Sequence, residues 1–390
     1  MFSREFKIDI AFLENPDFSA FFLLGPRQTG KSYLLKNPLP EKTWYINLLE
    51  TDTFQDFLLR PSRLREIFST KKNDIEMIII DEIQKIPNLL DEVHLLLEEE
   101  KIKFILTGSS ARKLKKQGVN LLGGRAQHIH FHPLVYPEII SDAEFDLVKI
   151  LSFGTLPKVY LAKAPDKLLK SYCGTYLKEE IVNESLTRNL PAFSRFIEVA
   201  ASCNSEILNY SQIASDAQVP KSTVIEYFSI LEDTLIAKKV TPYLYTQKRK
   251  PLETPKFYFF DIGVARRMAG FTTKLDPSLN NAGKEFETYL FHELSTYIDY
   301  HFLDESISYW RTVTQQFEVD FVIGNKVAIE VKLSKNIQEN DLKGLKALTD
   351  EVKIKKLIIV CRENEKRILN GVEIYPYEMF LKELWAGTIF

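Results

Sequence analysis

The chain has 390 residues, of which 45% are hydrophobic and 27% charged, and its formal net charge is −2. The length gives room for roughly two to four domains with their own cores, and the charge excludes a globally basic nucleic-acid binder while leaving local basic faces open. Cys173, Cys203 and Cys361 form neither a metal pattern nor an even disulfide set, and no run of about 18 uncharged apolar residues is present to cross a membrane; with the charged start (Arg4, Glu5, Lys7, Asp9) no signal peptide is expected, and a reducing, cytoplasmic setting is.

The first predicted strand is the apolar run Ala20-Phe21-Phe22-Leu23-Leu24, and a helical pattern opens at Tyr33-Leu34-Leu35. Between them stands Gly25-Pro26-Arg27-Gln28-Thr29-Gly30-Lys31-Ser32. This is a Gly-x-x-x-x-Gly-Lys-Ser phosphate-binding loop in the strand–loop–helix setting that it requires. Inward backbone N–H groups ahead of a helix make a site for a triphosphate. Gly25 and Gly30 permit close phosphate approach, Lys31 supplies charge to the β- and γ-phosphates, and the Ser32 hydroxyl is placed to ligate Mg²⁺. The predicted nucleotide-binding segment runs from Gly25 to Tyr33.

The next strand, Met77-Ile78-Ile79-Ile80, is apolar throughout, as in a parallel sheet covered on both faces, and ends in Asp81-Glu82. Asp81 is expected to hold Mg²⁺ through water and Glu82 to polarise the attacking water. A third strand, Lys103–Thr107, ends in Gly108-Ser109-Ser110; Ser109 is the expected γ-phosphate sensor, with Thr107 second. Arg125 follows the pair Gly123-Gly124 and is expected to act as an arginine finger, the alternative being a surface turn arginine. The basic run 112–116 reads as a solvated helix face, and the alternating His128, His130 and His132 as structural. Residues 1–135 therefore form the expected P-loop ATPase core.

Helical patterns dominate 136–193 and suggest a lid, which Asn189-Leu190-Pro191 then breaks. Residues 194–270 carry helical patterns at Phe193–Ala201, Tyr210–Ala217 and Lys221–Glu232, with a turn at Val219-Pro220 between the last two. Two β-rich runs follow, Leu235–Val240 and Lys256–Phe260, around a basic tip. That order is the layout of a winged helix. Lys221, Ser222 and Thr223 suit phosphates and base edges of DNA, and Lys248, Arg249 and Lys250 suit its backbone. The alternative is an intramolecular interaction module.

The last stretch, 271–390, carries a second chemical signal. Leu290, Phe291, Leu294 and Ile298 recur at helical spacing, and Glu287 falls on the same stripe, where a carboxylate is costly unless something charged pairs with it. Strands are expected at Ile307–Arg311, Val319–Ile323 and Val327–Leu333. The middle strand is expected to alternate, and on the third Ala328, Glu330 and Lys332 share one face. Glu287, Asp320 and Glu330 as metal ligands, with Lys332 orienting water, make the inventory of a Mg²⁺-dependent phosphodiesterase. This is the signature of the PD-(D/E)xK restriction-endonuclease-like fold; the alternative is a salt-bridge network in a domain that kept the fold and lost activity. The expected fold class is α/β: a P-loop NTPase parallel sheet, then a winged helix, then a restriction-endonuclease-like α/β domain.

The order of these parts resembles a family of prokaryotic AAA-type ATPases with a C-terminal domain of unknown function. The resemblance rests on Gly25–Ser32, Asp81-Glu82-Ile83-Gln84, Leu106–Ser110, Gly123-Gly124-Arg125 and Phe131–Leu134 in the first half. In the second half it rests on Lys256–Asp261 with Gly263, Trp310-Arg311, Glu318–Phe321 and Ile329–Lys332. Such proteins often show Leu-Ala-Gly-Arg where this chain reads Leu-Leu-Gly-Gly-Arg. The resemblance implies ATP binding and hydrolysis, and a winged-helix plus nuclease-like second half. Its relation to oligomeric AAA machines suggests a homo-oligomer in which Arg125 acts on a neighbouring subunit. The expected function is a Mg²⁺-dependent ATPase whose nucleotide state controls a half that binds, and in one version cleaves, DNA. The alternative is an ATP-dependent switch with an inactive nuclease-like scaffold and a protein partner.

Overall fold

The computed structural model describes residues 2–8, 11–12, 17–36, 41–109, 122, 125–176, 187, 189–244, 254–276, 278–312 and 316–390. Ser110, the run 112–116, Gly123-Gly124 and the expected DNA-binding tip Lys248, Arg249 and Lys250 lie outside the described residues. The chain divides into two compact units, one of residues 4–133 with 233–235, the other of 1–3, 134–232 and 236–390.

The first unit is built on a five-stranded sheet: β1 (Ala20–Leu24), β2 (Thr43–Asn47), β3 (Met77–Asp81), β4 (Lys103–Gly108) and β5 (Ala126–His130). The order is β2-β3-β4-β1-β5 and every pairing is parallel, as in a P-loop NTPase. Strands β1 and β3 are buried at every position because both faces are covered. Side chains alternate along β1: Ala20, Phe22 and Leu24 join a core with Ile78, Ile80, Leu89 and Phe104. Phe21 and Leu23 point to the opposite face, where Phe6, Ile8 and Phe12 meet them. Parallel strands deliver all their C-terminal ends to one edge, so the loop after β1, the carboxylates after β3 and Ser109 after β4 emerge together.

The second unit opens with helices Tyr136–Asp142, Leu147–Phe153, Pro157–Tyr160 and Pro165–Tyr176. Helices Leu190–Ser202, Tyr210–Ala217 and Lys221–Asp233 follow, then an antiparallel pair, β6 (Ala237–Val240) and β7 (Lys256–Phe259). Asn189 and Asn209 cap the first two of these three helices by accepting from Ala192 and Gln212 N–H. Pro191, expected to break the chain, instead lies in a helix's first turn, where its missing N–H costs no bond. Gln218 takes left-handed backbone angles at φ 55° and ends the middle helix. Phe193, Phe196, Phe228, Phe257 and Phe259 fill the core between helices and hairpin.

A six-stranded mixed sheet completes the unit: β8 (Ile307–Arg311), β9 (Glu318–Ile323), β10 (Val327–Val331), β11 (Lys356–Cys361), β12 (Arg367–Leu369) and β13 (Val372–Pro376). Its order is β12-β13-β11-β10-β9-β8. The long helix Gly283–Tyr300 packs on the face carrying Phe321, Ile329 and Ile358, and helix Lys343–Thr349 on the face carrying Val322, Ala328 and Ile359. The expected alternation along β9 breaks. Ser308 pairs with Val322 but Trp310 with Val319, so Asp320 and Phe321 together oppose Tyr309. This bulge re-aims Asp320, the usual effect of an extra residue in one strand.

Candidate functional site

The phosphate loop is shaped from both sides. Gly25 donates its N–H to the Gly108 carbonyl at 3.1 Å. A Cβ at Gly25 would stand 2.3 Å from the Phe131 carbonyl oxygen, so glycine is required there. Gln28 and Gly30 take positive φ, 63° and 102°, which turns the chain into the helix Lys31–Lys36. Lys31 is buried, and its ammonium donates to the carbonyls of Gly25 (2.5 Å) and Pro26 (2.9 Å).

Asp81 lies 2% exposed at the end of β3 and accepts from three hydroxyls. Ser32 Oγ donates to it at 3.0 Å, Tyr45 Oη at 2.5 Å, and Thr107 Oγ1 to its other oxygen. Burial, and then the bond to Asp81, pushes the Tyr45 phenol far above its usual pKa. The Ser32 hydroxyl and the Asp81 carboxylate are adjacent hard oxygens at the loop, and this donor pair fits Mg²⁺, whose usual partners are one or two carboxylates, water and phosphate.

Glu82 also has positive φ, 64°, and its N–H donates to Thr107 Oγ1 at 3.2 Å. Its carboxylate accepts from Gln84 Nε2 at 2.5 Å, and the same amide reaches Ser109 Oγ at 3.3 Å. Gln84 Oε1 is buried with no hydrogen-bond partner among the described residues. A Cβ at Gly108 would lie 2.6 Å from that oxygen, so Gly108 makes room for the amide. Thr107, the second choice as sensor, is the residue that touches Asp81; Ser109 connects to Glu82 through Gln84. Sequence reasoning assigned no role to Tyr45 or Gln84. For Gln84 the signal was a polar residue two positions after the carboxylate pair, which is 3% exposed in the fold.

Arg125 is not brought to this edge. Its carbonyl accepts from Ser19 and Ala20, at the start of β1, and Ala126 pairs with Ala20. The loop leaves from the far end of β1, so the strand register does not bring Arg125 to the phosphate loop of its own chain. The side chain is 43% exposed and lies 3.3 Å from Glu98.

In the second unit, Glu287 and Asp320 meet on a residue that the sequence reading left without a role. Lys256, at the start of β7, is 2% exposed, and its ammonium lies 2.9 Å from Glu287, 2.5 Å from Glu318 and 3.4 Å from Asp320. Tyr258 Oη donates to Glu287 at 2.5 Å. The other Asp320 oxygen accepts from Val331 N–H at 2.9 Å, just beyond the last β9–β10 pair. Glu330 pairs instead with Lys332 at 2.6 Å, and Glu330 Oε2 is buried with no hydrogen-bond partner among the described residues. Burial and then the Asp320 charge raise Glu287 to about 7 and Glu330 to about 8. Burial works against the Lys256 charge, yet the acidic groups Tyr258, Glu287, Asp320 and Glu318 outweigh it and hold its pKa well above the ordinary value. As arranged, Glu287 and Asp320 enclose an ammonium. Among the described residues no three His, Cys, Asp or Glu side chains are grouped to hold a metal ion.

Lys221 and Ser222 are exposed at the start of their helix and Thr223 partly so. The same exposed face carries Ile225 and Glu226, so its charge is nearly balanced. No helix among the described residues is long and apolar enough to cross a membrane.

Comparison with known proteins matches three segments of the chain. Residues 17–140 match a family described as AAA domain. Residues 144–275 and 282–380 match two domains of unknown function, DUF8612 and DUF4143. An uncharacterized protein of Mycobacterium tuberculosis is 24% identical over 323 residues, spanning 80% of this chain and 69% of its own length. One of Haemophilus influenzae is 23% identical over 381 residues, covering 90% of this chain and 91% of the relative. Among solved structures, the Aeropyrum pernix ORC1 protein in complex with DNA is similar at TM-score 0.28 and 13% identity, over 67% of this chain and 90% of that one. Domain III of the Thermotoga maritima replication initiation protein DnaA is similar at TM-score 0.24 and 12% identity, over 58% and 88%. Likenesses this distant carry no argument about partners. The loop, its Asp81 partner and the match over residues 17–140 together support an AAA-type, nucleotide-binding ATPase domain in the first unit.

Proposed function

We propose that the protein is a Mg²⁺-dependent ATP hydrolase whose nucleotide state controls a DNA-binding second half. The observation that carries the first part is the Ser32–Asp81 contact beside the parked Lys31 ammonium. Lys31 leaves the carbonyls of Gly25 and Pro26 for the β- and γ-phosphates, and Ser32 and Asp81 hold Mg²⁺. Glu82 polarises the attacking water, Ser109 reports the γ-phosphate through Gln84, and Tyr33 follows the loop on the helix that carries Ser32. In a homo-oligomer the exposed Arg125 acts on a neighbour's nucleotide. The second half resembles a winged helix in its order of three helices and hairpin, with Lys221, Ser222 and Thr223 toward DNA and Lys248, Arg249 and Lys250 on its backbone. The test is Mg²⁺-dependent ATP hydrolysis with and without duplex DNA, for the wild type, Lys31→Ala and Glu82→Gln. Activity that is lost in both variants and stimulated by DNA supports the proposal; unstimulated activity with no salt-sensitive DNA binding removes the DNA part.

A second reading is favoured by Lys256. Cleavage by Glu287, Asp320, Glu330 and Lys332 requires that ammonium to leave the space between two of the three carboxylates. In the second reading it stays, the restriction-endonuclease-like domain is an inactive scaffold, and the ATP-dependent switch acts on a protein partner. Plasmid nicking with Mg²⁺ or Mn²⁺ separates the two. Nicking by the wild type that Lys332→Ala abolishes selects the nuclease, and equal products from both indicate contamination.

A further inference from the structure

Arg4 sits far from the motifs in sequence, yet it is 5% exposed and bound to the phosphate loop. Its Nη1 donates to the Thr29 carbonyl at 2.6 Å, and its Nη2 to the His132 carbonyl at 2.7 Å. The guanidinium carbon lies 4.2 Å from the centroid of the Phe131 ring. Phe131 is also the residue whose carbonyl oxygen closes the space beside Gly25.

We infer that Arg4 is a positioning residue of the nucleotide site, one that sets the direction of the loop's amides for the phosphate chain of a nucleoside triphosphate. The inference rests on the ATPase reading above. A peptide unit is planar and trans, so its C=O and N–H point in opposite directions. Anchoring the Thr29 carbonyl on Arg4 therefore fixes the Gly30 N–H to point away from Arg4. Gly30 has a φ of 102°, a value open to it without steric penalty, so its own side-chain-free backbone does not hold that direction. The second nitrogen ties the same anchor to His132, just beyond β5, so the clamp is fixed to the sheet and not to the loop alone. Arginine suits the task because its rigid planar fork reaches two carbonyls at once, and the ring of Phe131 supports its flat face. A lysine at the same place keeps the charge and loses the fork.

The experiment measures Mg²⁺-ATP affinity by calorimetry, steady-state hydrolysis, and the thermal midpoint of the nucleotide-free protein, for the wild type, Arg4→Ala and Arg4→Lys. Loss of a charge-assisted anchor predicts a Kd roughly 10-fold or more weaker in Arg4→Ala, with partial recovery in Arg4→Lys. KM is expected to rise by a similar factor with kcat changed less, a split that a general loss of fold would not give, and millimolar guanidinium added to Arg4→Ala is expected to restore part of the affinity. If Arg4→Ala does not fold, Arg4→Lys decides: wild-type Kd and KM in that variant overturn the inference, as do wild-type values in a folded Arg4→Ala. A wild type that binds no ATP brings down the ATPase reading itself, a result distinct from both.

Discussion

The Lys256 ammonium lies 2.9 Å from the Glu287 carboxylate, joining β7 of the hairpin to the long helix of the neighbouring mixed sheet. Both side chains are largely buried, at 3% and 15% exposure. Glu287 falls on the apolar stripe of its helix, and Lys256 is the charge that makes this position tolerable.

Removing that charge is expected to be costly. Lys256→Ala leaves Glu287 and Asp320 buried beside each other without their cation, and a loss of about 3–5 kcal/mol in unfolding free energy is expected. Lys256→Met combined with Glu287→Gln neutralises that carboxylate but leaves Asp320 and Glu318 without their cation, so only part of the loss is expected to return. Urea unfolding of the second unit measures both, and a single variant as stable as the wild type would show that the pair contributes nothing.

Glu293 makes a second prediction. Its oxygens accept from Tyr136 N–H at 2.9 Å and Trp385 Nε1 at 2.7 Å, and burial lifts its pKa to about 8 from 4.5. A carboxyl whose pKa is raised by folding contributes stability that is full below its unfolded pKa and lost as pH rises through the folded value. Stability of the second unit is therefore expected to fall between about pH 4.5 and 8, and Glu293→Gln to flatten that slope. Chemical denaturation across this range checks it; an unchanged slope in the variant would exclude Glu293 as its source.

Gln84 bonds both Glu82 and Ser109. Gln84→Ala is expected to lower kcat by roughly 10-fold or more while the affinity for ATP stays near wild type, because the loop does not depend on it. Steady-state kinetics with a separate binding measurement distinguishes this from a general loss of fold. A wild-type kcat would mean that the amide is only structural.

Gly25→Ala places a Cβ 2.3 Å from a backbone oxygen of Phe131, an atom that cannot swing aside. Either the loop or β5 has to shift, and nucleotide affinity is expected to fall about 100-fold, a loss of roughly 2–3 kcal/mol. Fluorescent-nucleotide titration reads it directly.

The phosphate loop and its carboxylate strand were legible because their chemistry is local. Strand, glycines, Lys31 and Ser32 occupy one short stretch, and the buried strand ending in Asp81 announces itself by composition. Three strands of the parallel core, β1, β3 and β4, were legible as such runs, whereas the half-exposed β2 was not. Lys256 was not assigned its role because its partners lie 31 and 64 residues away. A lysine opening the apolar run Phe257-Tyr258-Phe259-Phe260 was the available signal. The bulge at Asp320 escaped because a period of two continues on both sides of it, and only the pairing with Tyr309 reveals the extra residue. Arg4 looked like part of a charged terminus, since nothing local marks an arginine whose partner is the Thr29 carbonyl. The place of Arg125 depends on strand register, which motif spacing does not encode.

The most direct test of the central claim is Mg²⁺-ATP binding and turnover by the purified, folded chain alongside Lys31→Ala. The account predicts saturable binding and hydrolysis in the wild type, with both lost when the ammonium is removed. Folded wild-type protein with no measurable affinity for a nucleoside triphosphate in the presence of Mg²⁺, or a Lys31→Ala variant that turns over ATP as fast, would contradict it.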